Sequence, residues 1–288
     1  MYQPPEPIEL RPGSQLWRYA GDSRIAFMGG TIGLLQLMHP AIGAGVLEHS
    51  NFFDDPADRV FRSLPWILGT VYDEDGEETG RQVRGFHRDI KGVDAEGRRY
   101  HALTPETYWW AHATFQFMAE QVADRFDRHR LTTRQRETLY REGVEWYRRY
   151  GVSMRPVPDT RAEFQLVFDR YCAEVLEMNA AVEFVLESLD QPRRISGLPA
   201  QLRWAEPALR LRPVRKALLV PVRISTVGGL PMHVRERFGI PWTRRDQITL
   251  RGLEQGVQRA WPMVPFSRRW QPRALDGWKR VRREQQAA

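Results

Sequence analysis

Signals for the start of α-helices recur along this chain and constrain its fold more than any other feature. The clearest is Thr104-Pro105-Glu106, where threonine can cap the first turn, proline takes the first helical position and glutamate faces the positive end of the helix dipole. Apolar residues then recur at helical spacing as far as about Arg128. Segments with the alternating pattern of β-strands are hard to find. We therefore predict an all-α fold.

The same start and stop signals predict the other helices and the limits of the domain. The remaining predicted helices cover residues 22–38, a segment that opens at 40, another that opens at 55–56, and 78–91, 132–151, 160–178, 179–189, 199–210, 214–222, 243–259 and 272–283. Either Thr132 or Thr133 is expected to cap the helix that ends at 151. Gly92 is expected to end the helix over 78–91, and residues 93–103 to form a loop or short hairpin that turns at Glu96-Gly97. We expect an N-terminal extension (1–20), a single helical domain (21–265) and a basic C-terminal helix (266–288).

The cysteine content and the hydropathy pattern bear on the cellular compartment of the protein. The single cysteine, Cys172, excludes an intrachain disulfide and a cysteine-based zinc or iron–sulfur site, and its helical neighbours predict a buried, inert thiol. The chain opens without a charged-then-apolar leader, which favours a cytoplasmic protein. The most apolar stretch, Ile25–Leu47, is interrupted before it reaches the roughly 20 residues of a membrane span. It predicts two buried helices, with a re-entrant or peripheral membrane contact as the alternative.

The charge balance is basic, with a formal net charge of +7. Most of that charge is arginine spread along the chain, and no nucleic-acid-binding module is recognisable, so we expect no nucleic-acid partner. The concentration of arginine from Arg268 to Arg283 suits contact with anionic lipid.

Common catalytic signatures are absent from the sequence, including phosphate loops, dinucleotide fingerprints, GxSxG, HExxH and Glu-x-x-His. Among the seven histidines, His87 is the most informative. Residues three and four positions away are Val83, Arg84, Ile90 and Lys91, so an imidazole would lie among apolar groups with a cation one turn to either side. That pattern suits an iron ligand beside the propionates of a haem. On its own it equally describes a structural histidine.

Other histidines remain open candidates. His112, in the long helix beside Trp109, is expected to be a core histidine satisfied by a neighbour, and is the second candidate ligand. His39, before Pro40, could line a cavity or cap a helix, and His49 could lie as a cation at a helix C-terminus.

Three ordered blocks make the chain resemble a known family. Residues 39–63, 81–114 and 230–242 are together similar to the MpaB-type and latex-clearing oxygenase (rubber oxygenase) family. The resemblance implies a helical, globin-like core that holds haem b through one proximal histidine. It does not specify a substrate.

The resemblance also assigns roles to individual residues. The segment from Arg84 to Lys91 is similar to the family's proximal-histidine motif, which makes His87 the iron ligand and places the flanking cations near the cofactor. Arg59-Val-Phe-Arg62-Ser63 looks like the family's Arg-x-x-Lys-Thr motif, which implies a structural or propionate role for Arg59 and distal, catalytic roles for Arg62 and Ser63. Arg62 is the departure, because arginine has no lone pair to offer iron.

Four functional hypotheses follow. The leading one is a haem-b-dependent oxygenase that uses dioxygen on an apolar lipid or isoprenoid-like substrate. The second is a haem carrier or gas sensor without turnover. The third is a protein that has lost haem and either only binds ligands or uses another metal at His39, His49 and His112. The fourth is nonspecific nucleic-acid binding through the basic surface.

Overall fold

A computed structural model of the chain describes residues 5–50, 56–190 and 211–287, and within these it describes no side chains for 56–61 and 212–218. The α-helices are α1 Gln15–Tyr19, α2 Gly29–Leu37, α3 Pro40–His49, α4 Pro56–Tyr72, α5 Gly76–Gly85, α6 Pro105–Phe126, α7 Thr133–Arg148, α8 Arg161–Arg170, α9 Ala180–Asp190, α10 Arg212–Gly229, α11 Met232–Arg237, α12 Arg244–Ala260 and α13 Pro272–Ala287. A π-helical turn, Tyr171–Val175, extends α8, and short 3₁₀ turns cover Ser23–Phe27, Trp261–Met263 and Phe266–Arg268. The all-α, single-domain prediction is confirmed.

Local capping explains where several helices begin. The hydroxyl of Thr132 accepts a hydrogen bond from the amide of Gln135, and the amide of Thr132 donates in return to Oε1 of the Gln135 side chain. This reciprocal pair opens α7. Thr160 caps α8 through the amide of Glu163. Because these signals are local, the sequence predicted these starts correctly. Residues 199–210, predicted as a helix, lie outside the described residues.

Several predicted helices differ from the structure. The helix predicted for 214–222 is longer and runs from Arg212 to Gly229. The helix predicted for 22–38 divides into the 3₁₀ turn Ser23–Phe27 and α2. Gly30, at the start of α2, lies so close to α10 that a Cβ there would be 2.0 Å from the hydroxyl oxygen of Thr226. The helix predicted for 78–91 runs instead from Gly76 to Gly85, because the chain then turns through successive i to i+3 hydrogen bonds into a hairpin. That hairpin, β1 (Lys91–Val93) with β2 (Arg99–His101), is the one the sequence suggested. Its turn contains Gly97 at φ 79°.

The core surrounds α6, whose buried residues occupy most of its circumference. Trp110, at its centre, is fully buried, stacks on Tyr171 with ring centroids 5.0 Å apart, and donates from its indole nitrogen to the carbonyl of Leu35, 2.9 Å away. Both ends of the chain pack onto this core. Trp17 of α1 lies against Tyr72 of α4 and Trp278 of α13.

Among the described residues, none of the helices is individually long and apolar enough to span a membrane. The pair α2 and α3 meets that length and composition together, but the two helices are bent by 99° at their junction.

Replacing Trp110 with alanine should lower the free energy of unfolding by about 3–5 kcal/mol, because it opens a large cavity beside Tyr171 and removes the bond to Leu35. Urea denaturation measures the change. Leu166→Ala is the matched control: its side chain is 71% exposed on α8, so its effect should stay within about 0.5 kcal/mol. Equal effects of the two substitutions would contradict the assignment of Trp110 to the centre of the core.

Candidate functional site

The turn that follows α5 positions the imidazole of His87. Its Nδ1 lies 2.8 Å from the carbonyl oxygen of Val83, one helical turn earlier. Because a carbonyl only accepts, Nδ1 carries the proton and donates it, and in the neutral ring Nε2 then has the lone pair. A histidine whose second ring nitrogen is held by a backbone carbonyl is the usual arrangement of a metal ligand.

The surroundings of His87 are aromatic and partly open. The half-buried imidazole packs edge to face on Tyr108 of α6, with ring centroids 5.6 Å apart. The neighbouring Phe86 is 56% exposed and contacts Trp66 of α4, itself 40% exposed, at 5.3 Å. A Cβ at Gly85 would meet no atom within 4 Å, so a flat group can approach the backbone there. The imidazole therefore has a buried ring on one face and a partly exposed aromatic pair close to it in the chain.

The two cations predicted on either side of His87 lie in different settings. Arg84 donates through Nη1 to the carbonyl oxygen of Gly151, 2.5 Å away, and so joins α5 to the end of α7. Lys91 is exposed and begins strand β1, where its carbonyl lies 3.2 Å from Nε2 of His49. Arg84 therefore also has a structural task that the sequence did not indicate.

The predicted distal residues lie on α4. Arg62 and Ser63 are both exposed, and Trp66, four residues after Arg62 and hence on the same face, contacts Phe86. The structure therefore brings this face of α4 next to the segment that carries His87. The backbone of Arg59 belongs to α4, but its side chain lies outside the described part of the structure.

His112 lies in a closed environment. It is buried, and its Nε2 lies 2.9 Å from the carbonyl oxygen of Gly143 on α7. Its ring contacts Trp146 and Tyr147, with centroids 4.9 and 5.1 Å away. Burial lowers the pKa of His112 to about 4, so the ring is neutral at physiological pH. The cavity beside it has a volume of about 10 Å³, far too small for a porphyrin.

The three histidines proposed as an alternative metal site do not come together. His39 is buried against Tyr171, with ring centroids 6.3 Å apart, His49 lies beside the hairpin, and His112 faces Gly143. The described residues contain no group of three or more histidine, cysteine, aspartate or glutamate side chains that could hold a metal ion. The prediction of a metal site from His39, His49 and His112 is therefore wrong.

Sequence reasoning missed the aromatic residues that shape the site. Tyr108 contacts both His87 and Tyr150, and Tyr150 contacts His112, so one ring cluster separates the two histidines. The spacing of Tyr108 and His112, four residues apart on α6, was the available signal. The proximity of Trp66 to Phe86 depends on the packing of α4 on α5 and left no local signal.

Comparisons with known proteins place this geometry in a family. A family model described as "ER-bound oxygenase mpaB/B'/Rubber oxygenase, catalytic domain" matches residues 17–259. No curated protein and no solved structure matches significantly. The match includes α4, α5 and α6, and hence the residues around His87.

Acidification should destabilise the fold through its buried histidines. Burial lowers the pKa of His39 and of His112 to about 4, whereas the unfolded chain protonates each near pH 6.5. Stability from these groups is therefore complete above pH 6.5 and is lost as the pH falls towards 4, by about 2 kcal/mol per histidine at pH 5. Urea denaturation at pH 7 and pH 5 measures the loss.

The His112→Asn variant isolates one of these two groups, because the other titrating residues are unchanged. We expect the difference in unfolding free energy between pH 7 and pH 5 to be smaller in the variant than in the parent protein. An unchanged pH difference would show that His112 protonates as easily in the folded chain as in the unfolded one.

Proposed function

This chain belongs to the family of mpaB-type and rubber oxygenase catalytic domains, and from that premise we propose that it is a haem-b-dependent oxygenase acting with dioxygen on an apolar lipid or isoprenoid-like substrate. The oxygenase class comes from the family. The cofactor, the substrate class and the residue roles are our inference. The observation that carries the inference is the imidazole of His87, which is oriented by a backbone carbonyl, packs on Tyr108 and follows the exposed Phe86 in the chain.

The residues present fit haem at His87 better than at His112. At His87, Nδ1 donates to the carbonyl of Val83, which would leave Nε2 for iron, and the absence of atoms within 4 Å of a Cβ on Gly85 supports the approach of a flat macrocycle. At His112 the neighbouring cavity of about 10 Å³ has no room for one. When bound, haem b would supply the iron at which dioxygen is activated. His112 is then part of the packing behind the site.

Cations near His87 would bind the anionic edge of the cofactor. Arg59 on α4 and Lys91 at the start of the hairpin are the proposed partners of the propionates. Arg84 has five N–H donors, and its bond to Gly151 uses one nitrogen while holding α5 in place. We assign Arg84 a combined role, fixing the turn that carries His87 and contributing positive charge beside it.

Arg62 and Ser63 are the proposed catalytic hydrogen-bond donors. Both lie on α4, on the turn before Trp66, which packs against the residue next to His87. A guanidinium remains protonated and donates only, so Arg62 would orient and polarise dioxygen without competing for iron. The hydroxyl of Ser63 would provide a second donor.

Exposed aromatic rings support the proposed class of substrate. Trp66 and Phe86 together present an apolar surface beside His87, and covering it with a hydrocarbon chain would remove that surface from water. Exclusion of water would also strengthen the hydrogen bonds from Arg62 and Ser63.

We propose a cytoplasmic, membrane-peripheral setting for this reaction. The basic residues Lys279, Arg282 and Arg283 are exposed on α13 and would contact anionic headgroups. The description of the family includes an ER-bound oxygenase, and an apolar substrate would be delivered from a bilayer.

Haem binding tests the cofactor directly. The purified chain reconstituted with haem b should show a Soret band with the signature of histidine ligation, and His87→Ala should lose it because the iron has no protein ligand. His129→Ala, at an exposed position, is the matched control and should keep the band. Loss of the band in His112→Ala but not in His87→Ala would reverse our assignment of the two histidines.

Oxygen consumption tests the reaction and its donors. The haem-loaded protein should consume dioxygen with an unsaturated lipid or isoprenoid but not with a water-soluble alcohol, and Arg62→Leu should lower kcat by about 100-fold. Arg134→Leu, on the exposed side of α7, should leave kcat unchanged. A normal haem spectrum without dioxygen uptake across apolar substrates would favour a carrier or sensor instead.

A further inference from the structure

A small cavity lies between α6, α7 and α8, on the far side of the aromatic cluster from His87. Its volume is about 10 Å³, and its lining includes His112 and Gln116 of α6, Gly143 and Tyr147 of α7, and Phe164 of α8. A volume of this size accommodates about one water molecule. The cavity is too small for a substrate or cofactor.

Two hydrogen-bond acceptors meet at this cavity. The Nε2–H of His112 donates to Gly143, so in the neutral ring Nδ1 is an acceptor, and burial favours the neutral ring by lowering the pKa of His112 to about 4. The side-chain nitrogen of Gln116 lies 3.3 Å from a carboxylate oxygen of Glu120, which leaves Oε1 as the other acceptor. Among the described residues, neither Nδ1 of His112 nor Oε1 of Gln116 has a hydrogen-bond partner, although both atoms are buried.

Reversing the amide of Gln116 would not satisfy the pair. It would place the amide oxygen against Glu120, whose carboxylate already accepts from Arg161 through Nη2 at 2.7 Å. Two oxygens that only accept would then face each other in a buried environment, where unpaired polar groups cost most. The ion pair of Glu120 with Arg161 therefore fixes the orientation of Gln116.

We propose that this cavity is a binding site for one internal water molecule, which donates one hydrogen bond to Nδ1 of His112 and the other to Oε1 of Gln116. Water fits because the two facing atoms are acceptors, so the occupant must supply two donors within the volume of a single small molecule. A metal ion would need further ligands, and the walls contributed by Val144 and Phe164 are apolar.

The water would complete a hydrogen-bonded line through three helices. The line runs from the carbonyl of Gly143 on α7 through His112, the water and Gln116 of α6 to Glu120, and ends at Arg161 of α8. It sets the tautomer of His112, whose ring contacts Tyr147 and Tyr150, two of the rings against which Tyr108 packs. The site therefore supports the aromatic wall behind His87, and its existence does not depend on haem.

Nuclear magnetic resonance of the full chain with ¹⁵N-labelled histidine tests the proposal. The seven histidines give few signals, and His112→Phe identifies the one that belongs to His112. We expect the Nε2–H tautomer, and a cross-peak between water and the Hε1 proton of the His112 ring. An Nδ1–H tautomer, or no water cross-peak in the parent protein, would overturn the proposal.

Two matched variants test the bridge to Gln116. Gln116→Met removes the acceptor at nearly constant volume and should abolish the water cross-peak at His112. Gln121→Met lies on the same helix, where Gln121 accepts from Arg125 away from the cavity, and should leave the cross-peak intact. A cross-peak that persists in folded Gln116→Met would show that Gln116 does not hold the water. If that variant fails to fold, the parent spectra still decide whether the site exists.

Discussion

The burial of α6 is the constraint on which the rest of the structure depends. A helix surrounded by other elements must satisfy its buried polar side chains through the protein or through internal water, since bulk water does not reach them. Trp110 meets this demand through the carbonyl of Leu35, His112 through the carbonyl of Gly143, and Glu120 through Arg161. These bonds run to three different helices or loops, so satisfying α6 also fixes how its neighbours pack.

The candidate site lies where this fixed interior meets a less restrained surface. Tyr108 belongs to the buried face of α6, whereas the imidazole that packs on it, His87, comes from the turn after α5. That turn is held by Arg84, bonded to Gly151 at the end of α7. A rigid wall on one side and an open aromatic surface on the other is a geometry suited to holding a flat group and an apolar chain together.

How much of this could be predicted from the sequence depended on how local each signal was. Helix starts at Thr132 and Thr160 depend on residues three positions away and were predicted correctly. The end of α5 at Gly85 was missed, because Gly92 looks like a helix stop, and pairing of the hairpin decides the boundary instead. The family resemblance pointed to the segment around His87, and its role as the site stays a prediction. No local pattern could show that Arg84 reaches Gly151, or that the phenol ring of Tyr108 lies between two candidate histidines.

The two histidines differ through their surroundings and not through their own chemistry. Each directs one ring nitrogen to a backbone carbonyl, so each has its tautomer fixed and its other nitrogen unprotonated in the neutral ring. For His112, that nitrogen faces a cavity the size of one water molecule and is enclosed by aromatic rings. For His87, the neighbouring Phe86 is 56% exposed, and no atom lies within 4 Å of a Cβ placed on Gly85. We therefore propose that the packing around each ring, and not the imidazole itself, makes His87 a cofactor ligand and His112 a structural residue.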